Sequence, residues 1–218
     1  MDPIIDTVIR GLAGWVILTA FLILISNSTS RYALFFSLQS LSLGVLVGFV
    51  AFATGLDHLY VMAALIIVAK VIIVPWILKY TVNRLHLAED KEPYKNYAFQ
   101  VIVAGLLTIL AFVLVQPILN LASAIAQELL PLSFAIILIG FFTLATKKKA
   151  NSQVMGLLVM ENGIALAGIS TTYGMPILIE TVVLFDILAA FVIMAIFLYR
   201  ICHNFSSIDT IQMNTLRE

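Results

Sequence analysis

The 218 residues are 62% hydrophobic and 11% charged, with 12 basic and 12 acidic side chains and a formal net charge of +0. A soluble domain carries roughly 25% charged residues, so this is an integral membrane protein, and the lack of a basic excess excludes a nucleic-acid partner. The single cysteine, Cys202, excludes an internal disulfide and a cysteine-held iron–sulfur cluster.

The opening MDPIIDTVIR begins with acids and lacks a basic n-region, so the first apolar run reads as an uncleaved span. A spanning helix takes about 20 mostly apolar residues, and the chain supplies about seven such runs. The first is Ile4–Ile25. The second, Tyr32–Thr54, carries SLQSLSLG with Gln39 at mid-depth. The third, Leu59–Tyr80, holds AKVIIVPWILKY, with Lys70 inside the span and Pro75 five residues on. Proline removes a backbone hydrogen bond, so Pro75 is expected to kink this helix beside the lysine. A polar connection, Thr81–Asn96, leads to the fourth span, Tyr97–Asn120, which ends in FVLVQP with a second kink expected at Pro117. The fifth, Ile125–Thr146, is followed by Lys147, Lys148 and Lys149, read as a topology anchor that contacts headgroups at most. The sixth, Gln153–Thr172, contains MENG, with Glu161 and Asn162 in its middle. The seventh, Pro176–Cys202, has Glu180 in its first turn and Asp186 at mid-span.

Seven spans sort the loops onto two faces. One face collects Arg31, Lys79, Arg84, Lys91, Lys95, the lysine triplet, Arg200 and Arg217; the other has Arg10 with Asp2, Asp6, Asp57 and Glu128. Cytoplasmic loops collect Lys and Arg. The N-terminus is therefore expected outside and the C-terminus in the cytoplasm.

Three ionisable groups remain inside the apolar spans: Lys70, Glu161 and Asp186. A charge at the bilayer centre costs about 2.5–3.5 kcal/mol on insertion scales, so such a residue faces protein or water. On the face of Glu161 lie Leu157, Leu158, Ala165 and Gly168, and the two small residues would admit another backbone. Desolvation disfavours the charged form of an ionisable group, and groups poised between forms exchange protons. A buried carboxylate can instead hold Na⁺, and a buried Lys70 can instead neutralise Glu161 or Asp186 as an ion pair. Gln39, Asn162 and Glu180 are supporting polar groups. His58, His86 and His203 show no metal-ligand spacing.

The order of elements repeats. Each half has a helix, a polar connection, a helix with a mid-membrane polar group (Gln39, then Glu161) and a helix with a mid-membrane charge (Lys70, then Asp186). The expected organisation is a three-helix unit at 1–80, a polar loop and linker helix at 81–124, a second three-helix unit at 125–203 and a cytoplasmic tail at 204–218. The linker helix lets both units keep one orientation.

These landmarks carry a resemblance. The second half resembles NuoK, the small three-helix subunit of respiratory complex I, and its relatives in multisubunit cation/proton antiporters. The resemblance places Glu161 and Asp186 on two proton-path glutamates of that family, with aspartate replacing one. The whole chain resembles the hydrogenase-4 component E (HyfE) family, through SLQSLSLG, AKVIIVPWILKY, FVLVQP, MENG and the tail IDTIQMNTL, in order. That family implies a non-catalytic membrane-arm subunit of a group 4 nickel–iron hydrogenase or formate hydrogenlyase type complex in a prokaryotic cytoplasmic membrane. It also implies antiporter-like, quinone-site-like and soluble hydrogenase partners, which hold the nickel–iron site and the iron–sulfur clusters; none of these cofactors is expected in this chain. A proton or Na⁺ path through Glu161, Asp186 and Lys70 is the expected function. An antiporter subunit without redox partners and a purely structural scaffold are the alternatives.

Overall fold

The computed structural model describes residues 3–76, 96–119, 124–147 and 150–172. Six helices among them are long and apolar enough to cross a membrane by length and composition. They are α1 (Pro3–Ile25), α2 (Thr29–Thr54), α3 (Asp57–Ile66, continued by a π-helical segment at Ile67–Ile73), α4 (Tyr97–Leu119), α5 (Ala124–Thr146) and α6 (Ala150–Thr172). The expected seventh span, with Pro176, Glu180 and Asp186, lies outside the described residues, as does most of the polar loop. Within the described part, the apolar runs read from sequence coincide with helices, and α6 begins three residues earlier than Gln153.

Short connections make successive helices antiparallel neighbours. α2 ends at Gly55, whose φ of 69° is left-handed and whose N–H returns to the Ala51 carbonyl at 2.8 Å. A side chain there would be strained, so glycine sets this turn. Asp57 follows in the first turn of α3, where its charge suits the helix dipole. Contacts at the two edges of the bundle obey the same alternation. Arg10 of α1 pairs with Glu128 of α5 near one edge. At the other edge, Asn27 meets Tyr97 and Lys147 meets Ser26.

The tightest packing is α5 on α6. A Cβ built on Gly140 would sit 2.5 Å from the Met160 nitrogen, and one on Gly156 would sit 2.5 Å from the Leu144 nitrogen. One on Gly163 would meet Ile137 and the Ser133 carbonyl at 2.8–2.9 Å. Gly156 and Gly163 are seven residues apart, two turns along one face, so they form one seam against α5. A Cβ on Gly168 meets nothing within 4 Å among the described residues. Glu161 precedes Gly163 by two residues, or about 200° around the helix. The glycine seam therefore turns Glu161 away from α5.

α3 is irregular beside Pro75: the preceding residues, Ile67–Ile73, widen into π-helix, and the Val74 N–H bonds the Ala69 carbonyl five residues back. An α-helical proline ring clashes with the carbonyl four residues earlier, here Val71. The wider turn is the local answer to that clash, and π segments recur at functional sites. Lys70 sits in the middle of it. Pro117 lies inside α4, near its end, and Pro131 lies inside α5.

Replacing Gly156 with alanine is expected to destabilise the chain by about 1–3 kcal/mol through overpacking. Gly105→Ala, where an added Cβ meets nothing within 4 Å among the described residues, is expected to be neutral or to stabilise by up to about 1 kcal/mol. Unfolding in mixed micelles, followed by far-ultraviolet circular dichroism, distinguishes the two. Equal effects would contradict the glycine seam.

Candidate functional site

Three helices bring polar side chains, and a fourth a backbone carbonyl, to one point in the middle of the bundle. Lys70 comes from the π segment of α3, Glu161 and Asn162 from the centre of α6, and Gln39 and Ser40 from α2; α1 contributes the Val16 carbonyl. Each of these side chains is buried: Lys70 is 2% exposed, Glu161 4%, and Gln39, Ser40 and Asn162 0%. Lys70 and Glu161 lie 14 and 12 residues into their helices, so both sit about 20 Å from those helix starts at about 1.5 Å per residue.

The contacts run in sequence. Lys70 Nζ lies 3.3 Å from Glu161 Oε1. The same ammonium donates to Asn162 Oδ1 at 3.1 Å. Asn162 Nδ2 donates to Gln39 Oε1 at 3.1 Å and to Ser40 Oγ at 3.2 Å. Gln39 Nε2 donates to the Val16 carbonyl at 3.1 Å. Lys70 thus meets Glu161, one of the two partners the sequence left open; Asp186 lies outside the described residues. Gln39, matched to Glu161 by the repeat, instead touches its neighbour Asn162.

Glu161 is the incomplete member. Neither carboxylate oxygen has a hydrogen-bond partner among the described residues, although Oε1 lies within ion-pair distance of Lys70. A buried acceptor left without a hydrogen bond costs about 1–3 kcal/mol, more for a charged group. Among the described residues Lys70 has a hydrogen-bond acceptor and Glu161 has no hydrogen-bond donor.

A second buried lysine was missed by sequence reasoning. Lys147, the first of the triplet read as a topology anchor, is 2% exposed. Its ammonium donates to the Ser26 carbonyl at 2.9 Å and lies 5.7 Å from the centre of the Tyr32 ring. Tyr32 Oη donates to the same carbonyl at 2.5 Å. Gln153 Nε2 caps the Lys147 carbonyl at 3.1 Å. This corrects the headgroup-contact expectation for Lys147: it locks the α1–α2 turn to the end of α5. Lys148 and Lys149 lie outside the described residues. Nothing in a run of three lysines marks the first one as buried. Ser40 was also missed, and its adjacency to Gln39 was the only available signal.

Two donors share the Ser26 carbonyl, so either alone keeps it satisfied. Lys147→Met and Tyr32→Phe are each expected to cost about 0.5–1.5 kcal/mol. The double variant should cost more than their sum, because the carbonyl then loses both donors. Denaturant titration of the three variants measures the excess, and strict additivity would contradict the shared lock.

Among the described residues there is no group of three metal-ligating side chains. Along nearly its whole length the chain is similar to hydrogenase-4 component E of Escherichia coli, at 22% identity over 211 residues, covering 96% of this chain and 97% of that protein. The protein of the same name from Shigella flexneri matches to the same extent. An uncharacterized protein of Mycobacterium tuberculosis is 29% identical over 154 residues, 70% of each chain. No family model matches, and no solved structure matches significantly. The homology, distant but nearly full-length, bears out the resemblance to hydrogenase-4 component E.

Proposed function

We propose that this chain is a non-catalytic subunit in the membrane arm of a nickel–iron hydrogenase complex, and that its buried Glu161–Lys70 pair lies on an ion path driven by the complex's redox chemistry. The observation that carries the ion-path reading is the buried carboxylate, whose two oxygens lack hydrogen bonds among the described residues, beside the Lys70 ammonium. The length and order of the match to hydrogenase-4 component E support the setting. In this setting the membrane is the prokaryotic cytoplasmic membrane. Antiporter-like and quinone-site-like subunits adjoin the chain, and soluble partners hold the nickel–iron site and iron–sulfur clusters. With one cysteine, the chain has no thiolate set of its own for such clusters.

The pair has a simple cycle open to it. With Glu161 ionised, Lys70 shares its charge between the carboxylate and Asn162. A proton delivered to Glu161 cancels that attraction; loss of the proton restores the pair. Na⁺ at the free carboxylate oxygens would act on the same attraction. Asp186, in the seventh span, is proposed as the next carboxylate on the path, with Glu180 nearer the surface.

A structural reading has its own support, since the same contacts tie four helices together. Glu161→Gln separates the two. It keeps the shape and removes the proton-exchanging group. The expected result is an assembled complex with most of its hydrogen turnover and no coupled ion movement, measured as acidification or Na⁺ uptake in inverted membrane vesicles. Native pumping in this variant would overturn the ion-path reading. Nickel and iron in the purified complex support the hydrogenase setting; their absence would point to an antiporter assembly without redox partners.

A further inference from the structure

The buried face of α3 changes phase beside Lys70. Leu59, Met62, Ala63, Ile66 and Lys70 are all buried and lie on one α-helical face, at i, i+3, i+4, i+7 and i+11. The next buried residue is Pro75, five positions on. Ile73 is exposed and Val74 only half-buried, although a continuous α-helix would turn these two inward. The i→i+5 bonding of Ile67–Ile73 accounts for the slip, because a π turn takes up one residue more than an α turn. One extra residue corresponds to about 100° of α-helical rotation. Lys70 is in the middle of the π segment, so about half of that rotation falls before it.

The sequence suits either register. In a continuous α-helix, Ile73 and Val74 would take the inner face in place of Pro75, so apolar side chains fill it both ways. Val68, Ile72 and Ile73 are exposed, so none of the described helices covers the face that would turn. The start of the segment is held more closely, since a Cβ on Gly44 of α2 would fall 2.7 Å from the Ile67 side chain. Two features favour the observed register. The Pro75 ring would meet the Val71 carbonyl in an α-helix. The contacts of Lys70 with Glu161 and Asn162 are made with Lys70 in its π position.

We propose that Ile67–Ile73 is a two-register element: it stays π while Lys70 meets Glu161, and when that contact is released the end of α3 turns by about one residue into a continuous α-helix. Register and contact bias each other, as linked equilibria must. The α register turns Lys70 by about 50° from its present aim, and breaking the contact removes a restraint on the π register. The inference rests on the ion-path reading for what releases the contact. It adds a mechanical output, since an event at Glu161 becomes a rotation of the end of α3.

The test is fluorine NMR of the full chain in lipid nanodiscs, with fluorotryptophan in place of tryptophan. Trp76 directly follows Pro75, and Trp15 is the only other tryptophan in the sequence, so Trp15→Phe assigns the signal. In the native chain one Trp76 resonance dominates, and a second carries about a tenth of the intensity or less. Glu161→Gln is expected to raise that second resonance to an intensity comparable with the first, a gain of about tenfold. Pro75→Ala keeps Glu161 and the chain length but removes the clash with the Val71 carbonyl, and it should raise the same resonance. Deleting Ile72 removes the extra residue, so Pro75 falls four positions after Lys70 and a plain α-helix keeps it inside. In the Glu161→Gln background this deletion should abolish the second resonance, whereas a purely local effect of the substitution would persist. A single Trp76 resonance in Glu161→Gln or in Pro75→Ala would overturn the two-register element, as would a second resonance that survives the deletion. The spectra need no ion movement: native pumping in Glu161→Gln would count against the ion-path reading, whereas an unsplit Trp76 signal counts against the register element.

Discussion

A lysine and a glutamate at the centre of an apolar bundle constrain everything around them. Neither can face lipid at acceptable cost, and even a matched pair gains little net stability once its desolvation is counted. The surrounding helices must therefore supply further polar contacts at one depth. They do so unevenly. Among the described residues, Lys70 receives a carboxylate and a carbonyl oxygen, while Glu161 receives the lysine's charge and no hydrogen bond.

The rest of the architecture can be followed outward from that pair. The glycine seam of α6 against α5 fixes the rotation of α6, so that Glu161 and Asn162 face α2 and α3. The π segment before Pro75 carries Lys70 to the same point. Gly44 of α2 makes room for this segment, since a Cβ there would fall 2.7 Å from the Ile67 side chain. At the bundle edge, the Lys147 lock ties the α1–α2 turn to α5 and so holds the helix that supplies the Val16 carbonyl. Small residues, a proline and two buried lysines thus act on one geometry from different places.

Much of this was legible in the sequence, for physical reasons. Apolar runs of spanning length have few alternatives in a bilayer, so the described helices fall where the runs do. Mid-span charges are expensive enough that Lys70 and Glu161 stood out singly. Their pairing did not, because nothing in one sequence fixes which faces of two distant helices meet. The glycine seam was not read for a related reason: Gly156 and Gly163 look no different in sequence from Ala165 and Gly168, and only the packing of α5 shows that they face it. The burial of Lys147 was hidden by its neighbours, since a lysine triplet reads the same whether or not its first member folds inward. The Val16 carbonyl carries no side-chain signal at all. The paired-unit organisation and the roles of Glu180 and Asp186 depend on residues beyond the described part and stay with the proposal.

The central claim is that Lys70 is present to answer the charge of Glu161. A double-mutant cycle tests it most directly, with stability measured by denaturant titration of the chain in micelles. Lys70→Met in the native background strands a buried carboxylate and is expected to cost about 3–5 kcal/mol. In a Glu161→Gln background Lys70 is itself the unpaired buried charge, so the same substitution should cost far less than this or stabilise the chain. A cost that is the same in both backgrounds would contradict the pairing on which the account rests.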